Sequence, residues 1–112
     1  MSYETKPWEK SIHYVSPKTG KETTLYSIGV LAEALGRTPQ TIRKWEIAGI
    51  IPMTPFKKGN KRFYSSEHID VIVRCAERAK IKVGTNINNT TFVKRVYEEF
   101  QAVNEMFFGK GE

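Results

Sequence analysis

Residues 26–64 read YSIGVLAEALGRTPQTIRKWEIAGIIPMTPFKKGNKRFY, and the order of signals within them decides the fold. Ile28, Leu31, Ala32 and Leu35 recur at helical spacing, with Ser27 placed to cap the run. Gly36 follows at once and suits a left-handed stop. Thr38 is then a natural N-cap and Pro39 fits the first helical position, where its missing N–H costs nothing. In this second helix the phase turns Ile42, Trp45 and Gly49 toward a core. Gln40, Arg43 and Lys44 fall on the opposite face, with Thr41 at its border. Ile47 lands on the polar side, and the wing or an N-terminal hairpin are the two surfaces it could pack against. Gly49 ends the helix, and Ile50-Ile51-Pro52 continues in extended form. Residues 53–56 and 62–64 read as strands around a tip of Lys57-Lys58-Gly59-Asn60-Lys61. Two helices, a tight turn and a basic hairpin in this order predict a winged helix-turn-helix, an arrangement suited to nucleic acid.

Charge follows the same stretch. The chain of 112 residues carries a net charge of +6. Arg37, Arg43, Lys44, Lys57, Lys58, Lys61 and Arg62 lie between residues 37 and 62 with Glu46 as the sole acid among them; elsewhere acids and bases balance. A generally basic surface would spread the excess along the chain, whereas a duplex-gripping face concentrates it. The lysine-rich tip suits phosphates, which give affinity and salt dependence but no sequence readout.

Working outward, residues 1–10 look like a mobile leader with Trp8 as an anchor. Residues 11–15 and 22–26 are β-leaning runs around the turn sequence Ser16-Pro17-Lys18-Thr19-Gly20, which predicts an N-terminal hairpin that can extend the sheet of the wing. His13 in this hairpin is read as a surface or half-packed residue. On the other side, Ser65 caps a third helix over 65–81, with Glu67 and Asp70 favourable in its first turn. Ile69, Ile72, Val73 and Ala76 form its buried stripe, and Cys75 is a small apolar residue. Residues 82–89 are expected to be a loop. A last helix over 90–108 carries Phe92, Val96, Phe100, Val103 and Phe107 at helical spacing. That stripe packs on the domain, and its distal residues Phe100, Val103 and Phe107 are candidates for pairing with a second subunit. The fold class is therefore mainly α with a small β component: about four helices, an N-terminal hairpin and a wing, in one domain over 11–108.

With the motifs placed, the chain resembles the MerR-type winged helix-turn-helix. The resemblance rests on Tyr26, Ile28, Gly29, Leu31 and Ala32, then Thr41-Ile42-Arg43-Lys44-Trp45-Glu46, Gly49 and Pro52, and finally Arg62, Tyr64 and Ser65. Excisionase and phage small-terminase domains share parts of this pattern. The resemblance implies that Arg43 contacts DNA from the recognition helix. It implies that Arg62 and Tyr64 act from the wing on phosphates and the groove edge, and that Glu46 partners a wing arginine. Lys44 and Trp45 stand where the family usually has tyrosines. Regulators of this family usually continue into a long coiled-coil helix and an effector or metal module. This chain stops after its fourth helix, which points to a compact factor.

The candidate DNA-contacting set is Arg37, Thr38, Gln40, Thr41, Arg43, Lys44, Lys57, Lys58, Lys61, Arg62 and Tyr64. The expected function is sequence-specific binding of double-stranded DNA by a compact transcription regulator. A phage or plasmid factor in excision, replication, packaging or DNA architecture is the alternative within DNA binding. A protein-interaction winged helix is the alternative outside it. No catalytic triad, paired-carboxylate, phosphate-loop or metal-ligand spacing appears. Glu98-Glu99 with Lys94-Arg95 reads as a solvated helix face. Neither an enzyme, a cofactor, a metal nor a small-molecule effector is expected. With one cysteine, no signal-peptide centre and no spanning apolar run, the expected location is the cytoplasm of a bacterial or phage-infected cell, at the nucleoid.

Overall fold

In the computed structural model, residues 3, 5, 11–79 and 90–109 are described. Their elements follow in the order β1 (Ser11–Val15), β2 (Glu22–Ser27), α1 (Ile28–Ala34), α2 (Pro39–Ala48), β3 (Phe56–Lys58), β4 (Lys61–Ser65), α3 (Ser66–Arg78) and α4 (Thr90–Phe108). The fold class expected from the sequence is the one observed: four helices with a small antiparallel sheet. No helix of the described residues is long and apolar enough to cross a membrane.

The two hairpins form one sheet, in the order β1-β2-β4-β3. β2 pairs antiparallel with β4 through Tyr26 opposite Tyr64 and Leu25 opposite Ser65. Alternation then sorts the sheet into two faces. Phe63, its partner Phe56 and, across the sheet, Leu25 share one face. Here Phe56 meets the rings of Tyr14, His68, Phe107 and Phe108 at centroid distances of 5.0 to 5.8 Å. Arg62, Tyr64 and Tyr26 occupy the other face, toward the helix-turn-helix.

β3 differs from the expected strand over 53–56. Pro52 and Pro55 lack the N–H that a ladder needs, so pairing starts only at Phe56. Thr54 serves the entry instead. Its hydroxyl donates to Phe63 O at 2.5 Å and accepts from Phe56 N at 3.2 Å. Lys57 and Lys58 therefore sit in a strand, and the turn shrinks to Gly59-Asn60.

Both helix ends of the helix-turn-helix close in the same way. At the end of α1, Gly36 has φ 66°, its N–H reaches Glu33 O at 3.0 Å, and Arg37 N–H reaches Ala32 O at 2.8 Å. At the end of α2, Gly49 has φ 76°, and Ile50 N–H reaches Trp45 O at 2.8 Å. A left-handed residue with these reach-back bonds satisfies the last carbonyls and turns the chain sharply. Thr38 caps α2 by accepting from Thr41 N at 3.3 Å, and Ser65 caps α3 by accepting from His68 N at 3.0 Å. Ser27 occupies the N-cap of α1, but its side chain makes no capping bond; the residue is also the last of β2, paired with Phe63.

α4 lies against α3 and the sheet. Phe92, Val96, Phe100, Val103 and Phe107 are all buried within this one chain. That corrects the expectation that Phe100, Val103 and Phe107 face a second subunit: the domain's own aromatic cluster consumes them. Its last turn is held by the N-terminal hairpin. Ser16 donates to Phe107 O, and the Thr19 hydroxyl donates to Met106 O at 2.7 Å. Glu99 pairs with Arg74 on α3, so the charged face read as solvated also ties two helices together.

Most of the leader, including Trp8, lies outside the described residues, as do residues 80–89 and hence the expected loop. Tyr3 is described. Its hydroxyl donates to Asp70, its N–H reaches the Tyr26 hydroxyl at 3.1 Å, and its ring meets Tyr26 edge-on. The leader thus has an anchor at Tyr3.

Candidate nucleic-acid interface

α2 is amphipathic in the sense the sequence required. Ile42, Trp45 and Glu46 are buried, while Gln40, Arg43, Lys44 and Ile47 are exposed. Gly49, expected on the inner face, is exposed because it has left the helix. Ile47 packs against neither the wing nor the N-terminal hairpin; it is 81% exposed. Around the first turn, the Thr38 and Thr41 hydroxyls lie 3.0 Å apart. The Arg37 guanidinium sits over the Trp45 ring, 5.1 Å from its centroid. Arg37 is thereby fixed beside α2 by a cation–π contact.

A buried carboxylate joins the helix to the wing. The Glu46 side chain is fully enclosed. It accepts from Arg62 Nε through Oε1, and from the Tyr64 hydroxyl at 2.5 Å and Thr54 N–H at 3.2 Å through Oε2. A charge buried this deeply is stable only when paired and hydrogen-bonded, and here it has three donors. The partnership expected between Glu46 and a wing arginine is observed. Sequence reasoning missed Thr54, although a Thr before Pro55 at the mouth of a hairpin is a turn signal in itself.

This clamp also corrects the role expected for Tyr64. The residue is 0% exposed, so it cannot touch a groove edge; it positions the wing instead. Burial, reinforced by the Glu46 carboxylate, pushes its phenol above the usual range, while the positive charges of Arg62 and Arg43 pull it down. The link between the recognition helix and the wing is Glu46 itself, which binds both Arg62 and Tyr64 of β4. Arg62 is half-buried and committed to Glu46. Its cross-strand partner Lys57 shares its face of the sheet, the face toward α2. Lys58 and Lys61 pair beside the turn, and all three lysines are exposed.

Both ends of this arrangement are buttressed. Phe56 pins the far face of the wing into the aromatic cluster. Tyr97 on α4 donates to Gly49 O at 2.8 Å, at the end of α2. Among the described residues, no group of three His, Cys, Asp or Glu side chains could hold a metal ion. Cys75 is buried, and burial pushes its thiol up to about 11, which leaves it protonated at neutral pH. His13 is exposed and lies 3.0 Å from Glu22.

Comparison with known proteins agrees with this geometry. The family model for MerR HTH family regulatory proteins matches residues 26–79. Over 42 residues the chain is 50% identical to an HTH-type transcriptional regulator ZntR homolog from Haemophilus influenzae. That alignment takes in 38% of this chain and 31% of the relative, so the chain spans about a third of that protein's length. No solved structure matches the chain significantly. The matched segment begins at the Tyr26 strand and closes in the third helix, enclosing both helices of the turn, the clamp and the wing: residues 26–79 are a MerR-type winged helix-turn-helix domain.

Proposed function

We propose that this chain is a sequence-specific double-stranded DNA-binding protein that acts in transcription regulation. In this reading α2 lies in the major groove and the wing rests on the adjoining backbone. The observation that supports it most directly is the clamp at Glu46, which ties the exposed basic face of α2 to the wing strand that carries Arg62 and pairs with Lys57. That tie matters because a groove and its flanking phosphates have a fixed spacing. Residue chemistry divides the labour. Gln40 suits the N6/N7 edge of adenine and Arg43 the O6/N7 edge of guanine, while Lys44, Lys57, Lys58 and Lys61 suit phosphates. Arg37, Thr38 and Thr41 flank the same helix end, where backbone N–H groups favour a phosphate. The regulator reading, over excision or packaging, is supported by the matched relative, whose name is that of a transcriptional regulator.

A mobility-shift titration tests it. Wild type should retard a duplex chosen from a random pool, and Arg43→Ala combined with Lys44→Ala should abolish the preference for that duplex. Unchanged binding by the double variant overturns the assignment of α2. Footprinting on the native locus tests the regulatory role. One palindromic site at a promoter is expected; arrays of direct sites at a recombination or packaging locus would overturn it.

A further inference from the structure

Ile47 has no structural employment. It is the most exposed large apolar side chain of the described residues, at 81%. A β-branched residue is also a poorer helix former than lysine or glutamate, so a solvated helix position gains nothing from it. Its place on α2 is nevertheless specific. Gln40, Arg43, Lys44 and Ile47 fall at i, i+3, i+4 and i+7, which sets them in a single stripe, and all four are exposed. Seven residues of helix span roughly 10 Å, or about three base-pair steps. The neighbours of Ile47 on this stripe are two cations and an amide. That setting suits a groove with anionic walls better than an apolar protein surface.

The major-groove edges of the base pairs carry one methyl group, that on C5 of thymine. We propose that Ile47 is a specificity-determining residue that packs on the C5 methyl of a thymine, adjacent to the base met by Arg43. The inference rests on the DNA-binding reading above and adds one base identity to it. The polar part of the stripe supplies hydrogen bonds and charge. Ile47 supplies the one contact that distinguishes thymine from cytosine without a hydrogen bond.

The test uses the full chain and duplexes it selects from a randomised library. Each thymine of the best duplex is replaced in turn by deoxyuridine, which removes the methyl and leaves the hydrogen-bonding edge intact. One replacement should weaken wild-type binding about fourfold, the worth of one buried methyl. Ile47→Ala should weaken binding to the thymine duplex about tenfold and make that same replacement nearly silent. Its melting temperature should match wild type, because the residue is exposed. Equal sensitivity to deoxyuridine in both proteins overturns the proposal, as does a duplex with no methyl-sensitive position. So does an Ile47→Ala chain that binds like wild type. If wild type selects no duplex, the DNA-binding reading fails and carries this inference with it. Selection without methyl sensitivity defeats only the inference.

Discussion

The Tyr64 hydroxyl donates to Glu46 Oε2 at 2.5 Å, out of contact with solvent, and so joins strand β4 to helix α2. Tyr64 is therefore a structural residue at the root of the wing. Tyr64→Phe removes one donor from a buried carboxylate, and a hydrogen bond to a charged group is worth about 1.5–3 kcal/mol. Denaturant unfolding should show a loss of that size. Duplex affinity, measured well below the melting temperature, should stay near wild type. Normal stability with lost affinity would return Tyr64 to the groove.

Arg62 carries the countercharge of the same carboxylate, so its removal should cost more. Arg62→Ala strands Glu46 as a buried charge, a defect of about 3–5 kcal/mol when both partners are enclosed. Arg62 is partly solvated, with 22% of its side chain exposed, which places the expected loss at the lower end. The companion variant Arg62→Ala with Glu46→Gln should recover part of it, because the stranded charge is then gone. A double variant less stable than Arg62→Ala would show that the ion pair is not what the wing depends on.

These two residues also mark how far the sequence could be read. The helix-turn-helix was legible because its signals are local: Thr38 before Pro39, Gly36 and Gly49 after apolar runs. The wing was legible as a hairpin but not in register, because two prolines pushed pairing past 53–56. The family resemblance put Tyr64 at the groove edge, and only the position of Glu46 shows that it turns inward. Helical phase put Ile47 on the polar side, where it is, and only the surface shows that neither hairpin covers it. The aromatic stripe of α4 was found, but whether it met its own domain or a second copy was a tertiary question. The rings of Phe56 and His68 answer it.

His68 gives a pH dependence. The ring is buried, with Nδ1 at 2.6 Å from the Ser65 hydroxyl and Nε2 at 2.7 Å from Asn104 Oδ1. The neutral tautomer protonated on Nε2 fits, donating to Asn104 and accepting from Ser65. Burial lowers its pKa to about 4, against a hydrogen bond to Asn104 that acts the other way. The unfolded chain takes up the proton near pH 6.5 and the folded chain only near 4. Between these values the unfolded state binds more protons, so stability falls as pH falls. From pH 7 to pH 5 the loss should be about 2 kcal/mol. Glu67 and Glu99 do not obscure it. Burial pushes both carboxyls up, but hydrogen bonds outweigh it and hold them below their ordinary range, so they titrate at lower pH. Urea unfolding of wild type and His68→Gln at the two pH values decides it: the variant should lose the slope, and parallel profiles would refute the assignment.

The N-terminal hairpin has a task beyond extending the sheet. Ser16 donates to Phe107 O and accepts from Lys18 N at 3.2 Å and Thr19 N at 3.1 Å. One hydroxyl thus shapes the turn and closes the last turn of α4. Ser16→Ala leaves these buried or part-buried groups without their partner and should cost about 1–3 kcal/mol. Hydrogen exchange should locate the damage, with the last turn of α4 and the hairpin turn losing protection while α2 keeps it. Uniform loss across the chain would mean that the hairpin and α4 are not a separable unit.

Salt dependence measures the interface as a whole. Arg43, Lys44, Lys57, Lys58 and Lys61 are exposed, whereas Arg62 is engaged by Glu46. Four or five phosphate contacts give a log–log slope of affinity against salt of about −4. Replacing Lys57, Lys58 and Lys61 together by alanine should flatten that slope by about 2 to 3 and weaken all duplexes alike, because phosphates carry no sequence. Arg43→Ala should instead cost about 1–3 kcal/mol on the preferred duplex and much less on random DNA, since a base contact is lost. The two variants separate grip from readout. A triple variant that discriminates less well than wild type, or an Arg43→Ala chain whose loss is the same on every duplex, would mean that wing and helix do not divide the work in this way.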